Sequence, residues 1–465
     1  MCSNTLPHLR AGEYRRRRGS SASASFLEPC SPTLWGSAAA AGQLSQRKLV
    51  RALLPHCVGE SRRGGEGALF TELGLNRVAR SKDADVVIVG GGPVGLVLGL
   101  LLARRGVSVL ILEKGDYPRD KPCGEGLMPG GVQVLGELGI DLGREGFPRV
   151  AGVRYRLPGS AGVLGTFRAR AGLPGQGYGI RRTRFDVLLA ERAGAQPNLV
   201  LKRRCRVTGL TPSATGIEIQ SDAGSFATPL VVGADGLRSS VRGLMGWSIP
   251  PRRPFRYGLV GHLEAQGHGI TEVVVTVLGR SEVYLAPTGP DEVLAAVLAG
   301  QGLLREDGLG VRESYLRSVT AAHPEFAGTE CGEVSGAGPF RVRSQSVADR
   351  GVFLLGDAAG FLDPITGDGM SAGFLAAAEL ARLLVDADPG SAAASYRAWY
   401  ARQWRTRRVV TAIALKLTSS QALAGRALRG ISGHPEALAS LLEVNSGARS
   451  LSSIRLREWA TLAGI

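Results

Sequence analysis

The sequence has few of the residues that build disulfide frameworks, metal sites or hydrolytic centres. It contains six cysteines and six histidines in 465 residues. The cysteines form no C-x-x-C pair, and the histidines form no cluster with the spacing of metal ligands. These absences argue against a disulfide scaffold and a zinc site, and they leave hydrolytic triads and metal catalysis without support. We therefore expect a protein of a reducing, cytoplasmic compartment that holds no metal.

In its main part the sequence also lacks basic stripes interleaved with exposed aromatic residues. Its formal charge is +16, but residues 1–82 carry 13 Arg or Lys against five Glu and thus hold half of the excess. The remaining residues carry 43 Arg or Lys against 35 acidic residues. Such a mildly basic body argues against nucleic-acid binding and suits an acidic or phosphorylated cosubstrate.

Residues 1–82 are rich in Arg and Ser and contain no Asp. This composition formally matches an organellar transit peptide, and the long apolar core of a secretory signal is missing. We interpret the segment as a disordered leader or a mis-assigned start and keep the transit peptide as the alternative. Folding should begin near Asp83.

Residues 86–103 run for 18 positions without a charge, which is the lower length limit for a membrane-spanning helix. The order within this run favours a nucleotide-binding turn instead. Val86–Val89 predicts a buried strand, and Gly90, Gly92 and Gly95 then form a G-x-G-x-x-G motif ahead of an apolar helix over about residues 93–105. The three glycines suit a tight turn, the approach of a pyrophosphate and close packing of the helix on the sheet.

A second apolar strand, predicted over residues 108–112, ends at Glu113. Glu113 lies 18 positions after Gly95, near the ~20 expected for an acid that binds a ribose hydroxyl. Strand, glycine turn, helix, strand and terminal acid together indicate a dinucleotide-binding unit.

Two further apolar strands end in a carboxylate. The segment "LVVGADGLRSSVR" places Asp235 and Gly236 at the end of one strand, and "VFLLGDAAGFLDPITGDGMSAGF" places Gly356 and Asp357 at the end of another. The second is followed by a glycine-rich entry into a helix from about Gly369. A carboxylate there can accept hydrogen bonds from sugar-like hydroxyls, and the free N–H groups of the helix start can bind anionic oxygens. Taken singly, each motif would be read as a tight turn with an Asp cap.

The three motifs occur in the order G-x-G-x-x-G, DG, GD over about residues 83–385, and here the chain resembles the flavoprotein monooxygenases of the aromatic-hydroxylase type and the related geranylgeranyl-reductase-like oxidoreductases. The resemblance implies FAD as cofactor and an α/β fold in which a Rossmann-like FAD-binding domain carries an inserted β-sheet substrate domain and C-terminal helices. The expected boundaries are 83–250 for the FAD-binding domain with an insertion at about 151–180, 251–345 for the substrate sheet, 346–385 for the return to the FAD-binding domain, and 386–465 for the helices.

The resemblance also implies roles for single residues. Glu113 would bind the adenosine ribose, Asp357 the ribityl chain, and Asp235 the pyrophosphate region through its hydrogen-bond network. Arg182 sits where the family places an arginine near the cofactor, with Arg181 the less favoured candidate.

The family's P-x-x-G-x-G-x-N turn corresponds here to Pro364, Gly367, Gly369 and, in place of Asn, Ser371. We expect the helix that begins at Gly369 and Met370 to face the flavin N1 and C2 carbonyl. A helix N-terminus there stabilises the negative charge of the reduced flavin by roughly 0.3–2 kcal/mol. The change from Asn to Ser affects fine positioning, not the choice of cofactor.

A flavin that reacts with oxygen needs from the protein only a dry pocket and orientation, so hydroxylation of an aromatic or polyketide-like small molecule is the first hypothesis. Reduction of prenyl double bonds is the alternative, because "PRDKPCGEGLMP" resembles a K-x-C-G loop that would place Cys123 beside the flavin. The aromatic segment of prenyl reductases is reduced here to Tyr284–Pro287, "YLAP". A halogenase lacks support, since its W-x-W-x-I-P signature is absent. A non-catalytic flavin-binding or redox-sensing protein is the remaining hypothesis.

No second G-x-G-x-x-G supplies a nicotinamide domain. NAD(P)H would therefore bind transiently, or electrons would come from a separate flavin or ferredoxin reductase. The C-terminal segment "YRAWYARQWRTRRVV" mixes Trp399, Tyr400 and Trp404 with five arginines. It could lie on an anionic membrane surface, but we favour a helix whose aromatic residues pack on the core.

Overall fold

A computed structural model describes residues 82–464, except for residues 171, 214–215, 251–254 and 301–307. The predicted leader therefore lies outside the described residues, apart from residue 82. The described strands are β1 Val86–Val89, β2 Val109–Leu112, β3 Gly126–Leu127, β4 Arg149–Val150, β5 Gly152–Arg156, β6 Val163–Thr166, β7 Gly177–Gly179, β8 Leu199–Lys202, β9 Val207–Ser213, β10 Gly216–Ser221, β11 Gly224–Thr228, β12 Leu230–Gly233, β13 Ser248–Ile249, β14 Arg256–Glu264, β15 Val273–Val277, β16 Ser281–Pro287, β17 Glu292–Gly300, β18 Ser335–Ala337, β19 Arg343–Ser344, β20 Ala348–Asp349 and β21 Val352–Leu354.

The described α-helices are α1 Pro93–Ala103, α2 Pro129–Glu137, α3 Arg182–Gly194, α4 Ser240–Leu244, α5 Val311–Ala322, α6 Gly369–Asp386, α7 Pro389–Leu417, α8 Gln421–Ser432, α9 Pro435–Asn445 and α10 Leu456–Ala463. Short 3-10 turns cover Pro324–Phe326, Gly356–Ala358, Pro364–Thr366 and Leu451–Ser453. None of the helices in this described part is both long and apolar enough to cross a membrane.

The first sheet has six strands in the order β20-β21-β12-β1-β2-β8 and is parallel except for β20. Its central strands β1, β2 and β12 are buried along their whole length. That is why they read as continuous apolar runs and not as an alternating pattern. Helix α1 is almost entirely buried as well and packs closely on the sheet at Gly99, where an added Cβ would lie 2.8 Å from a carbon of Ile111. The uncharged run over residues 86–103 is therefore a strand and a helix of a buried α/β layer.

The second sheet has seven strands in the order β18-β14-β17-β16-β15-β5-β6. Strand β5 pairs with β15 in parallel, so the segment near residue 152 joins the sheet built mainly by residues 256–300. Side chains alternate between the two faces, as expected for strands. On β16, Val283 and Leu285 pack against α5, whereas Tyr284 faces the opposite side. The alternating segments read from the sequence thus form a sheet that helix α5 covers on one face.

The sequence-based boundaries differ from the structure at the loop after β2. The density of Gly and Pro in residues 114–131 predicts no regular structure, and the pattern after it predicts a helix over residues 132–138. In the structure β3 lies within this loop, and α2 begins at Pro129, three residues before the predicted start. Proline is favoured at the first helical position because its missing N–H is not needed there. Gly131 is required by packing, since a Cβ would lie 2.9 Å from Ser371 Oγ. That tertiary contact outweighs the poor helix propensity of glycine.

The C-terminal segment is helical, as predicted, and its aromatic residues pack on the core. Tyr396 is fully buried and donates a hydrogen bond to Leu354 O at 3.0 Å. Trp399 and Tyr400 pack against the same core, and Trp404 stacks on Tyr400 with ring centroids 5.7 Å apart. The core-packing interpretation of this helix is confirmed. Residues 82–464 all fall in one compact unit, so the division into FAD-binding and substrate domains stays a prediction.

Candidate active site

The glycine-rich turn after β1 brings backbone close to backbone. Gly90 has a φ of +107°, and a Cβ at this position would lie 2.6 Å from Ala234 O. A Cβ at Gly95 would lie 2.0 Å from Gly90 O. At Gly92 the nearest atom to an added Cβ is Arg119 Nη2 at 3.7 Å, and no side chain caps the helix that follows. The turn therefore exposes an uncapped helix N-terminus to which an anionic group can come close.

Glu113 lies at the end of β2, as predicted, and is only 3% exposed. Its Oε2 accepts a hydrogen bond from Gly91 N at 2.7 Å, and its Oε1 accepts one from Gly115 N at 2.8 Å. Arg119 Nη1 lies 2.7 Å from the same Oε1. The carboxylate thus holds the glycine turn in place, and its role in binding a ribose stays a prediction.

Asp235 follows β12 and organises the start of α4. Its Oδ2 accepts hydrogen bonds from Ser240 N at 2.6 Å and from Val241 N at 3.2 Å. Its Oδ1 is buried and has no hydrogen-bond partner within the described part of the chain. Arg242, on the next turn, donates to Ala358 O at 2.9 Å and so ties the DG segment to the GD segment. A buried acceptor without a partner next to the glycine turns fits a site completed by a bound group.

Asp357 follows β21 and lines the same cleft as Gly92 and Gly236. Burial raises the pKa of its carboxyl above the ordinary value, while the nearby cations Lys121 and Arg182 act in the opposite direction. Among the described residues none donates a hydrogen bond to this carboxylate, which suits an acceptor of ligand hydroxyls.

The 364–369 turn connects this strand to α6. Asp363 Oδ1 accepts a hydrogen bond from Ile365 N at 3.1 Å, and Gly367 adopts the left-handed conformation with a φ of +64°. Helix α6 begins at Gly369, as predicted, and no side chain caps it. Ser371, where the family has Asn, accepts a hydrogen bond from Met128 N at 2.9 Å. This serine anchors the loop before α2, and the helix N-terminus stays open towards the cleft.

Of the two arginines in the R-R-T-R segment, Arg182 lines the cleft. Its guanidinium makes a bidentate pair with Asp186, with both N–O distances at 2.7 Å. Burial disfavours its charge, but the pair with Asp186 raises the pKa of Arg182 above its usual range. Arg181 instead points to Asp120 at 3.0 Å and Glu292 at 3.3 Å. Arg182 therefore lies at the cleft and Arg181 does not, and the role of Arg182 near the cofactor stays a prediction.

Cys123 also lines the cleft. Burial raises the pKa of its thiol, against the lowering effect of the Arg182 guanidinium. Because the thiol rather than the thiolate is favoured, Cys123 has the properties of a small cleft-lining group and not of an activated nucleophile.

Three features of the site have no assignment from the sequence. Lys121 Nζ lies 2.9 Å from the position of a Cβ on Gly236, at the edge of the cleft. Glu125 is 1% exposed, has a φ of +50°, and accepts hydrogen bonds from Arg182 N at 2.8 Å and His262 Nε2 at 2.9 Å. Lys121 belongs to the K-x-C-G segment, so that motif could have pointed to it. The contact of Glu125 with His262 of β14 spans 137 positions, and no local sequence pattern marks it.

The third feature is a buried charge cluster under the 364–369 turn. Arg256 Nη2 lies 2.5 Å from Glu282 Oε2, and Arg256 Nε lies 3.0 Å from Asp363 Oδ2. Thr418 donates a hydrogen bond to Glu282 Oε1 at 2.7 Å. Burial raises the pKa of Asp363 to about 6, although Arg256 lowers it. The cluster joins the turn to the second sheet and to the end of α7.

These elements meet in one large cleft between the two sheets. Its volume is about 270 Å³, as swept by the centre of a water-sized sphere. The predicted residues that line it are Gly92, Cys123, Arg182, Gly236, Gly356, Asp357, Pro364, Gly367, Gly369 and Met370. Gly90, Gly95, Glu113 and Asp235 are not among the lining residues and contact the same glycine turns.

The chemistry of the cleft lining fits FAD. Two uncapped helix N-termini, those of α1 and α6, face it and suit a pyrophosphate and an electron-rich ring. Asp357 supplies an acceptor for hydroxyl groups, and Lys121 a cation near the glycine turns. On the opposite side Val260, Tyr284 and Leu298 form an apolar wall. The arrangement therefore presents groups that can hold a dinucleotide flavin on one side and an apolar surface on the other.

Comparison with known proteins agrees with this geometry. The FAD-binding domain family matches residues 83–413. The chain is 30% identical over 349 residues to the ubiquinone hydroxylase UbiL of Rhodospirillum rubrum, covering 67% of this chain and 76% of that protein. It is 30% identical over 333 residues to the menaquinone reductase of Mycobacterium tuberculosis, covering 65% of this chain and 76% of that protein.

The fold also matches a solved structure. The crystal structure of a flavoprotein/dehydrogenase from Cytophaga hutchinsonii superposes with a TM-score of 0.68 at 19% identity, covering 78% of this chain and 92% of that one. The family match includes all three motifs and well over half of the chain. The chain therefore belongs to the FAD-binding domain family and is an FAD-dependent oxidoreductase of the aromatic-hydroxylase-like flavoprotein monooxygenases.

Proposed function

We propose that the protein is an NAD(P)H- and O2-using monooxygenase that hydroxylates an aromatic or polyketide-like small molecule, quinones included. The observation that carries the proposal is the asymmetry of the cleft. Its cofactor side is built from helix N-termini, Asp357 and Lys121, and its opposite wall is built from apolar side chains of the second sheet. The relationship to UbiL, named as a ubiquinone hydroxylase, supports an aromatic or quinone-like ring as the acceptor of oxygen.

In this reaction NAD(P)H and O2 are consumed, one oxygen atom enters the substrate as a hydroxyl group, and the other leaves as water. Bound FAD would supply the redox chemistry, namely acceptance of a hydride and activation of oxygen. The chain's own residues orient the reactants and exclude water. Val260, Tyr284 and Leu298 present an apolar surface to the substrate, which keeps bulk water from the reacting atoms.

Tyr284 has a specific part in this arrangement. Its hydroxyl donates a hydrogen bond to Ile365 O at 2.9 Å, so the substrate-side sheet is joined directly to the 364–369 turn. This bond fixes the distance between the wall and the N-terminus of α6. Gly92, Arg182 and Asp357 would hold the cofactor against that wall.

A second candidate is reduction of a carbon–carbon double bond in a prenyl chain or quinone, with the geranylgeranyl-reductase-like enzymes as the comparison. Two observations favour it: Cys123 lines the cleft, and the chain is related to a protein named menaquinone reductase. In this case reduced FAD would deliver hydrogen to the substrate and O2 would not be consumed. Electrons could then come from a separate flavin or ferredoxin reductase, and we place either form of the enzyme in the cytoplasm.

The experiment that separates the two reactions is turnover of the purified full-length chain with NADPH or NADH under isotopically labelled O2. Phenols, naphthoquinones and polyketide aromatics serve as substrates, and mass spectrometry follows the product. Gain of one labelled oxygen atom supports the monooxygenase. Gain of two hydrogen atoms, independent of O2, supports the reductase. A flavin that stays oxidised with either nicotinamide contradicts a self-sufficient enzyme and assigns reduction to a partner protein.

A further inference from the structure

A second cavity lies among the C-terminal helices. Its walls come from the second half of α7, from α8, α9 and α10, and from Tyr155 and Val277 of the second sheet. Its volume is about 80 Å³, as swept by the centre of a water-sized sphere, several times the ~10–15 Å³ that a single water needs in that measure. We call this cavity the helical chamber. Most of its lining residues lie beyond residue 413, where the family match ends.

The helical chamber is almost entirely apolar. Ala427, Leu438 and Leu441 are typical of its surface. Its polar lining residues are two threonines, Tyr155 and Asn445. Each threonine hydroxyl already donates a hydrogen bond to a carboxylate: Thr366 to Asp368 Oδ1 at 2.6 Å and Thr418 to Glu282 Oε1 at 2.7 Å. The amide nitrogen of Asn445 is also paired, and its buried Oδ1 has no partner among the described residues. Water in such a space would find few partners, whereas apolar cavities of protein interiors bind apolar groups. The surface therefore selects a hydrocarbon occupant.

The helical chamber adjoins the cleft of the candidate active site. Tyr155, Thr366 and Leu442 line both cavities. Thr366 belongs to the 364–369 turn, so the two spaces border the same residues beside the position expected for the flavin ring. Asn445, at the end of α9, donates a hydrogen bond from Nδ2 to Thr366 O at 2.8 Å. The wall of the helical chamber is thus tied directly to the turn that faces the reaction.

We propose that the substrate of this enzyme is an elongated molecule whose ring is held in the cleft and whose aliphatic or isoprenoid tail enters the helical chamber. The proposal rests on the proposed function, because it places the reacting ring next to FAD. It adds a second subsite built by the C-terminal helices, and it assigns to that subsite the recognition of tail length. The shared residues Tyr155, Thr366 and Leu442 form the passage between ring and tail.

The probe is a series of 4-n-alkylphenols from 4-ethylphenol to 4-octylphenol, titrated into the oxidised FAD-loaded full-length protein without NAD(P)H. Calorimetry gives Kd, and the absorbance of the flavin reports whether the phenol ring is beside it. We expect Kd to fall by up to about fourfold for each added methylene until the tail fills the helical chamber, since a buried methylene contributes that much. Every member of the series should perturb the flavin spectrum.

The matched variants lie on α8. Ala427 is 7% exposed and lines the helical chamber, so Ala427→Leu shortens the available space. Ala422 lies on the exposed face of the same helix and makes Ala422→Leu the control. We expect A427L to bind 4-ethylphenol like the unaltered protein and 4-octylphenol at least tenfold more weakly, and A422L to match the unaltered protein throughout. Ala414→Leu, at a less buried wall position on α7, provides the same test if A427L does not fold.

Three results would overturn the proposal. Kd could be independent of chain length in the unaltered protein, which needs no variant to observe. The loss of affinity could be equal in A427L and A422L. Long phenols could bind without perturbing the flavin, which would make the helical chamber a separate lipid site. Turnover tests the proposed function independently. Tight binding of 4-octylphenol without incorporation of oxygen would contradict the monooxygenase but not the tail subsite. Hydroxylation without any dependence on chain length would contradict the tail subsite but not the monooxygenase.

Discussion

Asp363 carries an ionisable group whose burial should make the stability of the protein depend on pH. The side chain is 5% exposed, caps the 364–369 turn, and pairs with Arg256 at 3.0 Å. Burial raises its pKa from 3.8 to about 6 in spite of that pair. The difference of about two pKa units corresponds to roughly 3 kcal/mol, at 1.36 kcal/mol for each unit.

The sign follows from proton uptake. Between pH 4 and pH 6 the folded protein holds more protons at Asp363 than the unfolded chain does, so the free energy of unfolding decreases as pH rises through this range. The stabilisation that comes from proton binding at Asp363 is fully present below about pH 4 and is lost above about pH 6. Between pH 5 and pH 8 the loss amounts to roughly 1.5 kcal/mol.

Asp363→Asn removes this titration, and the amide oxygen can still accept the hydrogen bond from Ile365 N. We expect the difference in stability between D363N and the unaltered protein to shift in favour of D363N by roughly 1.5 kcal/mol from pH 5 to pH 8. For a chain of this size that is roughly 2 °C in the difference of Tm values, measured with FAD in fixed excess. Asp388→Asn is the control, because hydrogen bonds from Ser391 lower the pKa of Asp388 and its titration lies below this range. The reasoning is refuted if the difference in Tm between D363N and the unaltered protein stays constant from pH 5 to pH 8 or shifts in favour of the unaltered protein.

Three further substitutions test the site. Gly95→Ala places a Cβ only 2.0 Å from Gly90 O, so we expect purified G95A to lose its visible flavin absorbance. Gly136→Ala is the control and should keep the flavin absorbance, because the space around its Cβ is open. Asp357→Ala should weaken FAD binding by roughly tenfold to a hundredfold, which is the contribution of hydrogen bonds to a charged group. The Tm of the flavin-free D357A protein should be unchanged or higher, because a buried carboxyl is removed. Unchanged FAD affinity would contradict the assignment of Asp357 to the cofactor site. Tyr284→Phe leaves the buried carbonyl of Ile365 unpaired and should lower the free energy of unfolding by about 1–3 kcal/mol. If Y284F unfolds at the same Tm as the unaltered protein, the hydrogen bond from Tyr284 to Ile365 O contributes nothing to stability.

Much of the fold could be predicted because its signals are local. The strand Val86–Val89 has the bounds predicted from its β-branched run, and the helix at Gly369 begins where the glycine-rich entry indicated. Both depend on residues within a few positions of one another. Helix α1 ends at Ala103, two residues before the predicted end, because Arg104 and Arg105 belong to the turn that closes it.

The parts of the site that were not predicted depend on contacts between distant segments. The pair of His262 with Glu125 and the pair of Arg256 with Asp363 join residues more than a hundred positions apart, and no pattern within either segment marks them. The helical chamber has the same origin, since each of its helices alone reads as an ordinary amphipathic segment. Only the packing of four helices leaves the space between them.

The order of strands in the six-stranded sheet has a consequence for how the chain can be made. Strand β12 lies between β1, near residue 86, and β21, near residue 352. During synthesis the edge of β12 has no neighbour until residue 354 has emerged, and such long-range pairing is slow to form. A fragment that stops after the DG motif would present that apolar strand as an open edge, which favours self-association. The six-stranded sheet should therefore be produced only together with the seven-stranded sheet, whose strands lie between β12 and β21 in the chain.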